Sequence, residues 1–162
     1  NGDVVWFASY APLLARRGHT QWHPDMIYFD SKNVYLTPNY YVQQLFGQNS
    51  GDRYLETTLD ADAEAKLAAS SVVDSRTGDL IVKIVNGADE PTEINIRLVG
   101  LPPDVSMKTT KTVLTGPDAD ADAVNEDGKA PVVKPEESTE SLKAAFTYTA
   151  PANSLTVYRI DL

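Results

Sequence analysis

The sequence predicts a mainly β protein in which an antiparallel β-sandwich, most simply a jelly roll, follows a short α/β segment. The first part of the chain contains two helix-like stretches on either side of an extended one. Beyond it, short stretches rich in β-branched and aromatic residues are separated by turn residues, with almost no helical period. We therefore divide the chain into residues 1–50 (helix, strand, helix) and residues 51–162 (the sandwich).

The first segment, "NGDVVWFASYAPLLARR", predicts a helix. Asp3 is a suitable N-cap, and the two closing arginines with Gly18 after them suit a helix C-terminus. Pro12 removes one amide donor and is expected to kink the helix. Apolar residues occupy most of the circumference, so we expect burial on several sides. The segment lacks the features of a signal peptide and is too short to span a membrane, which favours an internal helix of a larger protein.

Residues 25–38, "DMIYFDSKNVYLTP", predict one extended segment. Its apolar run at residues 26–29 is typical of a strand buried on both faces. Thr37 is a good N-cap and Pro38 a good first residue for a helix over "NYYVQQLFGQN". The apolar residues of that stretch recur at helical spacing, which gives the helix one apolar face.

After residue 50 we predict strands at residues 53–59, 66–74, 79–86, 92–100, 107–115, 141–150 and 154–162. The second and third of these form the clearest hairpin, joined through residues 75–78. In the fourth, Ile94, Ile96 and Leu98 alternate with polar residues, which indicates one buried and one solvated face.

Between the fifth and sixth predicted strands lies an acidic, proline-containing stretch that we expect to be a long mobile loop. Asp118, Asp120 and Asp122 have the alternate spacing of a calcium-binding EF-hand loop. However, Ala123 and Lys129 stand where that motif requires glycine and glutamate. A solvated acidic loop is therefore the better interpretation, and we expect no metal site.

The composition excludes several functional classes. The net charge of −9, from 14 basic and 23 acidic residues, gives no basic patch for nucleic acid or for an anionic membrane surface. The absence of cysteine excludes disulfides, cysteine zinc sites and cysteine nucleophiles, and leaves the cellular compartment open. Nucleophile-elbow, P-loop and dinucleotide motifs are absent as well, so no cofactor is expected.

Aromatic residues are the strongest candidates for a binding site, since they are concentrated in the first quarter of the chain. They could stack on a sugar or pack between the two parts of the protein. His19 and His23 flank Trp22, and two histidines cannot build a three-histidine metal site. The carboxylates after residue 50 lie mostly on solvated strand faces or in loops, so we expect no catalytic pair among them.

The stretches "VVWFASYAPLLAR", "TQWHPDMIYFD", "VYLTPNYYVQQLFGQNSGD" and "PANSLTVYRI" resemble the C-terminal region of α-L-arabinofuranosidases of glycoside hydrolase family 51. The resemblance is strongest over residues 3–52 and covers essentially the whole chain. It implies a (β/α)8 barrel followed by a jelly-roll sandwich, with residues 1–50 as the tail of that barrel.

The resemblance also implies an activity for the parent protein. These enzymes remove terminal α-L-arabinofuranosyl groups from arabinan and arabinoxylan with retention, using two glutamates on upstream barrel strands. This chain would then hold no catalytic residue and would be inactive alone, supporting the barrel, its partner in the same polypeptide. Trp22, His23 and Tyr28 are expected to approach the sugar, because barrel active sites lie at strand carboxyl ends.

Two alternatives belong to other functional classes. An autonomous carbohydrate-binding module would need an exposed aromatic row, for which Phe146 and Tyr148 share strand parity. A pure interaction domain would use the apolar first segment to recruit another protein or a second copy. Exposed apolar surface of that size also favours self-association of a truncated chain.

Overall fold

The structure is a computed structural model that describes residues 4–126 and 129–162. In these residues it contains eleven strands and one α-helix, with short 3-10 turns at Ala63–Ala65 and Pro117–Ala119. The elements are β1 (Leu14–Arg16), β2 (Ile27–Phe29), β3 (Val34–Leu36), α1 (Pro38–Gln48), β4 (Arg53–Leu55), β5 (Leu67–Asp74), β6 (Asp79–Asn86), β7 (Thr92–Arg97), β8 (Met107–Thr115), β9 (Glu136–Leu142), β10 (Ala145–Ala150) and β11 (Ser154–Ile160).

The described strands form three sheets. A six-stranded antiparallel sheet has the order β4-β5-β6-β11-β8-β9. β7 and β10 form a two-stranded antiparallel sheet, while β2 pairs in parallel with β1 and antiparallel with β3. The predicted mainly β fold is confirmed, and the arrangement is compatible with a jelly roll.

The six-stranded sheet is buried on both faces. Because side chains alternate along a strand, Leu80 and Tyr158 lie on one face, where the β7–β10 sheet covers them. Ile81 and Val157 lie on the other face and pack with Leu45 of α1. Helix α1 therefore belongs to the layer that covers the sandwich.

Several predicted elements match the structure closely. β6 and β8 have the predicted bounds, and β5 with β6 forms the predicted hairpin. Helix α1 begins at Pro38, and the Thr37 hydroxyl accepts a hydrogen bond from the Tyr40 amide at 3.4 Å. The N-cap prediction is therefore confirmed.

The predicted first helix is wrong for the described residues 4–17. This stretch contains the short strand β1. The two carbonyls just before β1 accept hydrogen bonds from amides at the start of β2: the Met26 amide donates to the Pro12 carbonyl at 3.2 Å and the Ile27 amide to the Leu13 carbonyl at 3.0 Å. Those carbonyls are thus unavailable for helical bonds, and Pro12 has no amide to donate. The apolar side chains remain exposed, Trp6 to 93%.

The single extended segment predicted at residues 25–38 is two strands joined by a turn. The Asp30 carboxylate accepts bonds from the Lys32 amide at 2.7 Å and the Asn33 amide at 2.8 Å, which closes the turn between β2 and β3. β2 is only half-buried, so the expected burial on both faces is also wrong. Asp30 and Asn33 are residues typical of turns, but the apolar run before them led to the prediction of one continuous strand.

The acidic stretch, predicted to be one long loop, contains a strand in its described residues. Its end forms β9, which the sequence prediction missed because its side chains are mostly polar. β9 is an edge strand, where polar side chains are favourable, and Glu140 pairs with Lys111 at 3.0 Å. Earlier in the stretch, Val133 is buried in the core on the α1 face. The predicted strand at residues 141–150 is therefore the end of β9 followed by β10.

Lys83 of β6 is buried on the face of the six-stranded sheet that α1 covers, although its side chain is basic. It is 5% exposed, and its Nζ lies 5.8 Å from the centre of the Phe46 ring. Burial, followed by the nearby Arg159 guanidinium, lowers the pKa of Lys83 from its usual value of 10.5. The folded state therefore disfavours the protonated form that the unfolded chain prefers.

Lys83→Met is expected to raise the free energy of unfolding at neutral pH by about 1 kcal/mol, since it removes a buried charge. The unfolded wild type binds more protons between the lowered pKa and 10.5, so wild-type stability should rise with pH over that window. Measured by urea unfolding, the difference in the free energy of unfolding between variant and wild type should become smaller from about pH 7 to about pH 10. Exposed Lys108→Met is the control, and a gap independent of pH contradicts the prediction.

Candidate functional site

The candidate site is a cleft between the three-stranded sheet and the loop that follows β8. It encloses about 720 Å³. The residues that matter for its chemistry are Tyr10, His23, Tyr28, Tyr35, Asn39 and Glu126. Its walls thus come from two parts of the chain, one before residue 40 and one after residue 123.

His23 and Tyr28 form one aromatic wall. Their rings stack with centres 6.0 Å apart and an angle of 18° between planes, and His23 Nδ1 lies 3.1 Å from the Tyr28 hydroxyl. The Asp25 amide donates to the same hydroxyl at 2.8 Å. Asp25 itself is buried, and its carboxylate accepts from the Thr20 hydroxyl at 3.2 Å. The loop before β2 is therefore fixed by hydrogen bonds that hold both rings.

Tyr35 on β3 is oriented by the neighbouring turn. Its hydroxyl donates to the Asp30 carboxylate at 2.8 Å, and the Arg17 guanidinium lies 4.9 Å from the ring centre. The Lys32 amide, the Tyr35 hydroxyl and the Asn33 amide together lower the pKa of Asp30 to about 2. The carboxylate that holds Tyr35 is thus ionised at any pH near neutrality.

Asn125 fastens the loop that forms the opposite wall. Its side-chain nitrogen donates to the carbonyls of Leu36 at 3.1 Å and Val133 at 2.8 Å. Its side-chain oxygen accepts from the Val133 amide at 2.8 Å. Since Val133 is buried, this amide links the cleft wall to the core of the sandwich.

Comparison with known proteins supplies the family. A family model described as the α-L-arabinofuranosidase C-terminal domain matches residues 1–154. α-L-Arabinofuranosidase A of Aspergillus niger is 35% identical over 161 residues, which is 97% of this chain and 24% of that protein. The chain belongs to this family.

Other relatives extend the comparison within this C-terminal-domain family. α-L-Arabinofuranosidase 1 of Arabidopsis thaliana is 36% identical over 118 residues, 71% of this chain and 17% of that protein. The solved structure of arabinose-bound MgGH51 α-L-arabinofuranosidase covers 99% of this chain with a TM-score of 0.87 and 34% identity, over 25% of its own length. The chain spans about a quarter of the length of the curated Aspergillus relatives it matches.

A more distant structure shares the fold of this C-terminal domain. The arabinose complex of the Thermotoga maritima α-L-arabinofuranosidase superposes on 85% of this chain with a TM-score of 0.75 and 23% identity, over 32% of its own length. In the part of this chain that the structure describes, no helix is long and apolar enough to cross a membrane.

The structure brings together two of the three residues proposed from the sequence. His23 and Tyr28 both line the cleft, whereas Trp22 is 70% exposed and is not among its lining residues. Trp22 and His23 precede β2 in the chain, so they lie at its amino end and not at its carboxyl end. Their expected approach to the sugar stays a prediction.

The sequence prediction missed the contribution of Asn125 and Glu126 to the cleft. Both lie in the stretch interpreted as a solvated loop, and its acidic composition gave no signal of a contact with β3. Asp118, Asp120 and Asp122 do not line the cleft. Within residues 4–126 and 129–162, no group of three or more histidine or carboxylate side chains is arranged to hold a metal ion.

The cleft is suited to binding and lacks the parts of a glycoside-cleaving site. Hydrolysis needs two carboxyl groups on either side of one bond. Among the described lining residues, Glu126 is the only carboxylate. The described lining residues therefore offer aromatic rings and hydrogen-bonding groups, with one carboxyl group and not two.

Proposed function

We propose that this chain is the C-terminal region of a retaining α-L-arabinofuranosidase and that it supports a catalytic barrel in the preceding polypeptide. The observation that carries the proposal is the family match over residues 1–154, together with curated relatives that bear this name. In the proposed parent, residues 1–50 form the tail of the barrel and residues 51–162 form the sandwich.

The proposed reaction is a double displacement on terminal arabinofuranosyl groups of arabinan or arabinoxylan. One glutamate attacks the anomeric carbon while a second protonates the leaving oxygen and then activates water. Both glutamates belong to the barrel in this proposal.

The N-terminal surface supports the proposed contact with a barrel. Val4, Trp6 and Phe7 are exposed to 70%, 93% and 85%. β1 pairs only with β2 among the described strands, so its other edge offers backbone groups to a further strand. Burial of this surface against a barrel would remove a patch that otherwise promotes self-association of the truncated chain.

Trp22, His23 and Tyr28 are the residues we propose for contact with arabinose-containing substrate. Exposure of Trp22 and the lining of the cleft by the other two support this choice. The alternative of an autonomous module has less support, because Phe146 and Tyr148 pack against Tyr158 with ring centres 5.6 and 5.4 Å apart. They are therefore part of the core and do not form an exposed row.

Hydrolysis of 4-nitrophenyl α-L-arabinofuranoside tests the proposal. The 162-residue chain is compared with a chimera in which it replaces the matching region of the Aspergillus niger enzyme. We expect turnover by the chimera and none by the chain. Turnover by the chain, or a folded chimera without turnover, would overturn the proposal.

A further inference from the structure

We infer that the cleft between β3 and the loop after β8 binds a neutral arabinose-containing oligosaccharide, with Glu126 of the sandwich loop accepting hydroxyl hydrogen bonds. The choice of sugar rests on the proposed function. The new element is the loop wall, which gives the sandwich a direct part in recognition. The cleft has a volume of about 720 Å³, which lies within the range of small-molecule sites.

Tyr28 and Tyr35 line the cleft, and hydrogen bonds at their hydroxyl groups hold both rings in place. The Tyr28 hydroxyl is bonded to the Asp25 amide and lies beside His23, and the Tyr35 hydroxyl donates to Asp30. The rings of Tyr28 and Tyr35 are thus fixed in orientation. A fixed aromatic ring suits the apolar C–H face of a sugar.

The polar groups of the cleft complement hydroxyl groups. Asn39 supplies an amide with both donors and an acceptor, and Glu126 supplies a carboxylate that only accepts. Among the described lining residues Glu126 is the only carboxylate, and neither lysine nor arginine is present. This set disfavours a phosphate or carboxylate ligand and favours a neutral polyol.

Both walls are held in place before a ligand arrives. Asn125 bonds Leu36 and Val133 on either side of the loop wall, and the Asp25 amide holds the ring wall. Binding therefore orders few side chains, which keeps its entropic cost low. Glu126 also pairs with Lys129 at 2.5 Å, which restricts the carboxylate further.

Isothermal titration of the 162-residue chain with α-1,5-linked arabinotriose tests the inference. We expect measurable binding, weakened about tenfold by His23→Ala and about tenfold by Glu126→Gln. Tyr54→Ala, which removes an exposed ring on β4, is the matched control and should leave the Kd unchanged. Inorganic phosphate should give no binding.

Two results would overturn the inference: no binding of arabinotriose to the wild-type chain, or binding that neither cleft variant weakens. Glu126→Gln changes an exposed side chain by one atom, so loss of folding does not confuse this test. If the chimera hydrolyses the aryl arabinofuranoside but the chain does not bind arabinotriose, the inferred sugar binding in the cleft is wrong and the proposed function stands. If the chain binds arabinotriose but the folded chimera does not hydrolyse the aryl arabinofuranoside, the proposed enzyme function is wrong and the inferred binding stands.

Discussion

Tyr158→Ala is expected to destabilise the chain by about 3–5 kcal/mol, the range for removing a large buried ring. Tyr158 is 1% exposed, and its ring meets those of Phe146 and Tyr148 edge-on, at 69° and 86°. The alanine variant therefore leaves a cavity between the six-stranded sheet and the β7–β10 sheet. The measurement is the free energy of unfolding in urea, at a pH near neutrality.

Two variants serve as controls for this prediction. Tyr158→Phe keeps the ring and should retain most of the stability. Tyr54→Ala removes a tyrosine that is 71% exposed and should change the free energy of unfolding by less than about 0.5 kcal/mol. Similar losses at the two tyrosine positions on alanine substitution would contradict the assignment of the core.

Asn86→Ala is expected to cost about 3 kcal/mol, because several backbone groups lose the same fully buried side-chain partner together. The two hydrogens of the Asn86 side-chain nitrogen are shared among three carbonyls, those of Glu90 at 3.0 Å, Ala150 at 3.2 Å and Pro151 at 3.0 Å. Its oxygen accepts from the Ala88 amide at 3.0 Å. One fully buried amide thus joins the ends of β6 and β10.

Thermal unfolding measures this effect, with Asn95→Ala as the matched control. Asn95 is exposed on β7 and accepts one bond, from the Thr147 hydroxyl at 2.9 Å. Asn86→Asp should not rescue stability, since a carboxylate cannot donate to three carbonyls. A loss at Asn86 no greater than that at Asn95 would show that the buried network contributes little.

Much of the sandwich was predictable from the sequence because its strands are short runs rich in β-branched and aromatic residues, bounded by turn residues. In β7, apolar Ile94 and Ile96 alternate with polar side chains, and β6 and β8 end where turn residues begin. β9 was not predictable in this way, because its exposed position at the edge of the sheet removes the need for apolar side chains. Apolar runs and alternation therefore indicate the strands of the core, whereas a polar strand at the edge of the sheet carries neither signal.

The N-terminal part and the cleft depended on contacts that local patterns do not record. An apolar stretch around Pro12 suits a buried helix or a short strand, and pairing with β2 decides between them. His23 and Tyr28 could be proposed because aromatic residues cluster there. Asn125 lines the same cleft because its side chain bonds the carbonyls of Leu36 and Val133. An acidic, proline-containing sequence does not indicate these tertiary contacts.

The proposed role of the sandwich is to stabilise the catalytic barrel without taking part in the chemistry. Its most direct test is the half-life of thermal inactivation of the chimera with and without Asn86→Ala, with kcat and KM for the aryl arabinofuranoside at 25 °C measured alongside. We expect a shorter half-life with kcat and KM unchanged. A fall in kcat with an unchanged half-life would contradict it, and would give the sandwich a role in catalysis instead of support.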